Sequence, residues 1–160
     1  MTHNDDLETV NKIIKGTRFA TVTTRDQSGS LVSRPLAVLE RDFDGTVWFF
    51  TQDPSPKTAD VAGDPHVNVA YVDGASVVSL AGTASIDRDP ARIDEFWNPW
   101  AEAWFEGGRQ DPTVALLKVE GESVEFWHVD KPAVLRAFEV AKGIITSDAP
   151  DVGESRTIDL

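Results

Sequence analysis

Residues 31–57 read L-V-S-R-P-L-A-V-L, then E-R-D-F-D-G-T, then V-W-F-F-T, then Q-D-P-S-P-K. Two runs rich in β-branched and aromatic residues flank turn-forming residues 42–45, and this pattern predicts a β-hairpin. Ser55 and Pro56 then predict the N-cap and the first turn of a short helix. A strand end, a hydroxyl group, a helix N-terminus and Lys57 together predict a phosphate cradle.

The cradle has a plainer alternative, in which Arg34 is a surface residue of its strand and Lys57 is an ordinary lysine of the first helical turn. A cation at a helix N-terminus opposes the helix macrodipole unless an anion lies between the two. This unfavourable placement favours an anion site, although the residues alone leave both interpretations open.

Length and charge limit the function classes. The 160-residue chain is long enough for one domain that buries about two-thirds of its unfolded surface. Its net charge of −12 argues against a nucleic-acid or anionic-membrane surface, whereas a small phosphorylated ligand needs only a few local cations. The absence of cysteine excludes disulfides and thiol catalysis. No signal-peptide pattern or membrane-spanning stretch occurs, so we expect a cytoplasmic protein.

The segments outside residues 31–57 also predict strands joined by short turns. Apolar residues at positions 7, 10, 13 and 14 predict a first helix that ends at Gly16. The predicted strands are 18–25, 30–39, 46–51, 67–72, 76–86, and 114–120 with 123–129 as a last hairpin. Pro35 cannot donate a ladder hydrogen bond, so we expect its strand at an edge or with a bulge, and we expect another bulge at Gly82. Short connections of this kind indicate a small antiparallel barrel.

Residues 87–105 predict a helical segment that is interrupted at Asn98 and Pro99. Its aromatic residues include Phe96, Trp97, Trp100, Trp104 and Phe105. We interpret them as packing against a core or a partner, with a ligand pocket as the alternative. From Ala133 onward apolar residues recur at helical intervals, although a strand start also fits. Residues 147–160 are polar and acidic, and they predict a loose tail.

Neither a metal site nor a catalytic side-chain pair is predicted. His3, His66 and His128 are scattered, with neither a metal-ligand spacing nor a nucleophile beside them. The carboxylates of residues 87–106 have the distribution of a solvated helix face, and no two of them stand out as an acid and a base.

The order of motifs resembles the pyridoxamine 5′-phosphate oxidase-like, FMN-binding split-barrel superfamily, and most closely its general-stress-protein branch. The resemblance runs from about residue 7 to residue 145. The matching motifs are F-A-T-V-T-T at 19–24, S-R-P-L at 33–36, V-W-F-F-T at 47–51, S-P-K at 55–57, D-P-H-V-N-V at 64–69, S-L-A-G-T-A at 79–84 and E-F-W at 125–127. Each motif is weak alone, but their order and spacing together are specific.

This resemblance implies a mainly β fold with flanking helices, a six-stranded antiparallel split β-barrel formed by residues 1–146. It also implies a homodimer with one FMN in each of two interface grooves. Together with the predicted cradle, the resemblance implies a set of flavin-binding residues: Ser33, Arg34, Pro35, Leu36, Phe50, Thr51, Ser55, Lys57 and Trp127. Among these, Lys57 would bind the phosphate, and Trp127 would approach the flavin from the partner subunit.

Departures from the pyridoxamine phosphate oxidases themselves concern the substrate. Pro56 stands where those enzymes pair an arginine with the helix lysine, and Leu39 stands where they carry a substrate-facing lysine. Residues 77–80 read V-V-S-L where they have R-Q-V-R. We therefore expect a flavin-dependent oxidoreductase linked to the general stress response, with NAD(P)H or another small molecule as its substrate. The alternatives are a non-catalytic flavin sensor or store, and the same fold with a deazaflavin or haem.

Overall fold

The computed structural model describes residues 3–130, 133–146 and 153–160. The helices and strands of these residues are α1 (His3–Gly16), β1 (Phe19–Arg25), β2 (Leu31–Ala37), β3 (Thr46–Gln52), α2 (Pro56–Gly63), β4 (His66–Asp73), β5 (Ser76–Asp87), α3 (Pro90–Phe96), α4 (Pro99–Trp104), β6 (Val114–His128), α5 (Ala133–Thr146) and β7 (Glu154–Asp159). A single turn of 3-10 helix, Gly108–Gln110, lies between α4 and β6.

The described strands form one antiparallel sheet in the order β2-β1-β4-β5-β6-β3, with β7 added to β6. The first half of the 15-residue strand β6 pairs with β3, from Gln52↔Val114 to Thr46↔Glu120. Its second half pairs with β7. The sheet curls so that its two ends, β2 and β3, contact each other. The predicted split barrel is confirmed, with one strand beyond the six expected.

The hairpin predicted across residues 42–45 is wrong, because β2 and β3 lie at opposite ends of the sheet. The local turn signal is real, since Asp44 Oδ1 accepts a hydrogen bond from the Thr46 amide at 3.0 Å. Strand pairing is decided by other partners: β2 pairs with β1 over seven residue pairs, and β3 pairs over seven with β6. Strand β2 is therefore an edge strand, as Pro35 predicted.

The hairpin predicted around Gly121 is also wrong, because β6 continues through this residue. Opposite this point, Gly82 of β5 permits a close approach of the β5 and β6 backbones, since a Cβ on Gly82 would lie 2.2 Å from the Glu120 carbonyl oxygen. The register of β5 against β6 shifts between Ala81 and Gly82, which confirms the bulge expected there. The Gly121 amide donates to the Gly45 carbonyl at 2.8 Å, and so joins β6 to the start of β3.

The loose tail predicted after residue 146 is wrong for residues 154–159, which form β7, while residues 147–152 lie outside the described residues. Ile158 is only 4% exposed and belongs to the main core. Arg156 Nη1 lies 3.4 Å from Asp6 Oδ1 of α1, which fastens the strand at a second point. The sequence signal was weak because only one large apolar side chain of β7 faces the core.

Two buried clusters hold the described fold together. The larger cluster joins α1 to the concave face of the sheet. The smaller lies on the opposite face of β3, because Phe49 and Phe50 alternate between the two sides of the strand. In it Phe50 packs with Phe96 and Phe105 of the helical segment, which confirms the packing interpretation for these two residues, whereas Trp104 is 58% exposed and belongs to neither cluster.

The burial of Ile158 gives a test of β7. Replacement of Ile158 by Ala should lower the free energy of unfolding by about 2–5 kcal/mol, because it removes buried methyl groups and leaves a cavity. Thr157→Ala, on the exposed side of the same strand, should change it by less than about 0.5 kcal/mol. Urea denaturation of both variants measures the difference, and equal small effects would contradict the packing of β7 against the core.

Candidate functional site

The predicted phosphate cradle forms where the two ends of the curled sheet meet. Helix α2 begins shortly after β3 and packs on β1, so it bridges this seam. The Ser55 hydroxyl accepts a hydrogen bond from the Thr58 amide at 3.4 Å, and Thr58 Oγ1 accepts one from the Ser55 amide at 2.9 Å. Pro56 occupies the first helical turn, where its missing amide proton is no loss. The predicted helix start is confirmed.

Lys57 lies half-buried at this helix start. Its Nζ donates a hydrogen bond to Thr51 Oγ1, at the end of β3, at 2.9 Å. Burial and, second, the charge of nearby Arg34 lower the pKa of Lys57 below its ordinary value of 10.5. Lys57 forms no ion pair with any carboxylate of the described residues. A bound anion would therefore stabilise this ammonium group.

Arg34 reaches the same place from β2, at the other end of the sheet. Its Nη1 donates to Thr24 Oγ1 at 2.6 Å, and its Nη2 lies 3.4 Å from Asp60 Oδ2. The Thr24 hydroxyl donates to the same carboxylate oxygen at 2.9 Å. This buried network joins β1, β2 and α2 and fixes the guanidinium group. Arg34 and Lys57 therefore bring two positive charges to a site with one buried carboxylate, that of Asp60.

Sequence reasoning missed Thr24 and Asp60. A threonine in a strand and an acidic residue in a short helix are common, and neither suggests a buried contact. The one available signal is that Asp60 follows Lys57 by three residues, which places both on neighbouring positions of one helix face. Its burial follows only when β1 and β2 are placed beside α2.

The remaining predicted residues of β2 and β3 offer different groups. Ser33 and Pro35 are exposed on the outer face of the sheet, which we define as the face opposite the main core; Ser33 Oγ lies 2.7 Å from Thr23 Oγ1. Leu36 and Phe50 bury their side chains in the two clusters. Because β2 and β3 are edge strands, each has one backbone edge that pairs with no described strand. Leu36 and Phe50 can therefore offer a ligand only backbone groups.

Trp127 does not reach the cradle within one protomer. It lies in β6, opposite Val77 of β5 and Ser155 of β7, and is roughly 40 Å of extended strand from Ala115, the partner of Thr51 at the cradle. Its side chain lies on the outer face and is 39% exposed. Contact between Trp127 and a ligand of a partner subunit therefore stays a prediction.

A groove of about 1130 Å³ opens at the end of β2. Its lining includes Phe19, Ala37, Val38, Leu39, Phe96 and Trp100. Four charged side chains at the groove form two ion pairs: Lys15 contacts Asp42, and Arg41 Nη1 lies 3.6 Å from Glu95 Oε1. Arg18 and Glu40 also line the groove, so it offers a small molecule an apolar patch beside several ionisable groups.

Among the described residues, no helix is both long enough and apolar enough to cross a bilayer. Nor do three or more His, Asp or Glu side chains of this part of the chain come together in a way that could hold a metal ion. His128 has a partner at each ring nitrogen, because Nδ1 lies 3.4 Å from Ser76 Oγ and Nε2 contacts Asp130.

Comparison with known proteins agrees with the motifs. Residues 5–151 match the family model described as pyridoxamine 5′-phosphate oxidase like. Protein bli-3 of Neurospora crassa is 30% identical, over 93% of this chain and 77% of that protein. A general stress protein 26 structure from Jannaschia sp. CCS1 superposes with a TM-score of 0.75 at 27% identity, over 98% of this chain and 99% of that one. The general stress FMN/FAD binding protein of Xanthomonas citri superposes with a TM-score of 0.68 at 29% identity, over 78% and 92%.

The lowered pKa of Lys57 predicts a specific pH dependence of stability. Between that pKa and 10.5 the unfolded chain binds more protons at Lys57 than the folded chain, so this residue makes the free energy of unfolding rise with pH. Lys57→Met should remove the rise, whereas Lys12→Met, on the exposed side of α1, should keep it. Urea denaturation between pH 8 and pH 10 measures the difference from the parent protein.

Subtracting the pH dependence of Lys57→Met from that of the parent protein also removes the contribution of buried Tyr71, which both proteins share. Burial raises the pKa of this phenol, so its effect in alkali has the opposite sign. Identical pH dependence in the parent and in Lys57→Met would contradict a lowered pKa of Lys57 in the folded protein.

Proposed function

The chain belongs to the pyridoxamine 5′-phosphate oxidase-like family, and we propose that it is an FMN-binding homodimer that acts as a flavin-dependent oxidoreductase in the general stress response. One observation carries the cofactor assignment. Arg34 of β2 and Lys57 of α2 lie close enough for their charges to interact, and the buried carboxylate beside them, Asp60, is paired with Arg34. A phosphate group supplies the negative charge that this arrangement lacks.

The ring system of the flavin would extend from the cradle along β2 toward the groove. Ala37 and Val38 line the groove and follow Arg34 by three and four residues, which is roughly 10–13 Å of extended chain. The groove volume of about 1130 Å³ exceeds the roughly 300–1,000 Å³ of ordinary small-molecule sites, so its size allows a flavin ring system. The Xanthomonas citri protein, described as FMN/FAD binding, supports the flavin assignment.

In this proposal the bound flavin supplies the redox chemistry, and the protein supplies binding and orientation. Lys57 and Arg34 would neutralise the phosphate. The Ser55 and Thr58 amides are bonded within the capping box and Pro56 has no amide proton, so among residues 55–58 the Lys57 amide remains for the phosphate. Of the groove carboxylates, Asp42 and Glu95 are paired with cations, whereas Glu40 is exposed.

Pyridoxamine phosphate is a poor candidate for the substrate. Leu39 lines the groove with an apolar side chain, and Val78 and Leu80 are fully buried in the core. These positions therefore offer no charge to a substrate phosphate. We propose instead a small, partly apolar substrate or NAD(P)H as the reaction partner, in a cytoplasmic protein.

The homodimer is proposed from the outer face of the sheet, where Trp127 would meet the flavin of the partner subunit. A non-catalytic flavin store is the main alternative. Haem has less support, because both ring nitrogens of His128 have protein partners. Stopped-flow reduction of bound FMN by NADH and NADPH separates enzyme from store, and a rate no faster than that of free FMN would favour the store.

The cradle is tested by comparing two flavins. Lys57→Ala should weaken FMN binding by about 1.5–3 kcal/mol, the scale of a hydrogen bond to a charged group. Binding of riboflavin, which lacks the phosphate, should change little in the same variant. Fluorescence titration measures both affinities, with Lys12→Ala as the control for loss of a positive charge elsewhere. Equal losses for FMN and riboflavin would remove Lys57 from the phosphate site.

A further inference from the structure

Helix α5 exposes an unusually apolar surface in the protomer. Phe138 is 63% exposed and Ile145 is 83% exposed, and Leu135, Val140 and Ile144 are also exposed. None of the described α5 residues belongs to either buried cluster. Leu135, Phe138 and Ile145 share one face of the helix, and a globular protein rarely leaves such an apolar face in water unless a partner covers it.

Helix α5 is attached at the end of the sheet where β6 and β7 meet. Strand β6 ends at His128, β7 begins at Glu154, and these two residues pair with each other. The chain therefore leaves the sheet and returns to it at one point, next to Trp127. Any molecule that packs on the outer face near Trp127 lies within reach of α5.

The centre of the outer face has the composition of an interface between protein chains. Its side chains are those of Thr21, Thr23, Ser33, Pro35, Asn68, Ala70, Ser79 and Ala81. None of these side chains of β1, β2, β4 and β5 is charged, and the next outer-face position beside Ser79, on β6, is Glu125; 26% of the whole chain is charged. Depletion of charge is the compositional signal that distinguishes an interface core from other surface.

An apolar row borders this face at the end where α5 is attached. The row consists of Phe19, Val72, Val77 and Trp127, which neighbouring strands place side by side. Phe19 is 55% exposed and Val72 is 57% exposed. The row crosses four strands, or about 14 Å, and the 14-residue helix α5 is about 21 Å long, so the helix can cover the row completely.

We propose that α5 of each protomer docks on the apolar row of a second copy, in a reciprocal two-fold arrangement. The continuity of the row with the uncharged face selects a second copy as the occupant. An anionic lipid surface is disfavoured, because α5 carries a net charge of only +1 on a chain of net charge −12. Since Phe19 also lines the groove, the partner's helix would form part of the groove wall.

The absence of native cysteine permits a direct test by cross-linking. One protomer carries Phe138→Cys, and a second, differently tagged protomer carries Val72→Cys. Each protomer then holds one thiol, so a disulfide or a short bismaleimide link between the two tags can form only between subunits. We expect this link in mixed dimers. With exposed Gln27→Cys as the partner, at the far end of the β1–β2 pair, we expect no link.

A dimer that links Phe138→Cys only to itself, or equally well to Gln27→Cys, would overturn the proposal. Phe138→Asp gives a second measurement, because this side chain is exposed in the protomer and its replacement should leave the fold intact by circular dichroism. We expect its dimer dissociation constant, from analytical ultracentrifugation, to rise at least tenfold, and that of Gln27→Asp to stay unchanged. An unchanged constant for Phe138→Asp would also overturn the proposal.

This inference rests on the homodimer of the proposed function, but the two can fail separately. A monomeric parent protein would overturn α5 docking and the dimer together, while FMN and riboflavin titration of Lys57→Ala still tests the cradle. A flavin-binding dimer without the cross-link would overturn only the docking of α5.

Discussion

The hydrogen-bonded group of Arg34, Thr24 and Asp60 is the constraint on which the rest of the site depends. Asp60 is buried, and a buried carboxylate is tolerated only when it is paired and hydrogen-bonded. Its two partners come from β1 and β2, whereas its own helix follows β3. The group therefore fastens one end of the curled sheet to the other. Of the two cations at the cradle, Arg34 is paired with Asp60, and Lys57 has no carboxylate partner among the described residues.

This arrangement leaves an unfavourable electrostatic interaction within the folded chain. Lys57 is half-buried next to a second cation, which disfavours its charged form. A phosphate would offset that repulsion on binding, so part of the binding free energy would come from relief of the repulsion between Lys57 and Arg34. A strongly acidic protein can thus bind an anionic ligand, because the local charge of a half-buried site outweighs the mean charge of the surface.

Features determined by neighbouring residues could be predicted from the sequence, and features determined by distant pairing could not. Ser55 and Pro56 start a helix, and Gly82 marks a bulge, because the backbone chemistry at those positions is local. Both predicted hairpins failed, since β3 takes its partner from a strand more than sixty residues later and β6 continues through Gly121. Asp60 was missed because its burial is created by strands outside its helix.

The position of β3 in the chain has a consequence for synthesis on the ribosome. Its one described strand partner is β6, so the aromatic run Trp48–Phe49–Phe50 leaves the ribosome well before the strand that covers it. Non-local strand pairs of this kind form slowly, and an unpaired apolar edge can join to other chains in the meantime. The nascent chain is therefore most exposed to aggregation in the interval between β3 and β6, when chaperones would have the most to protect.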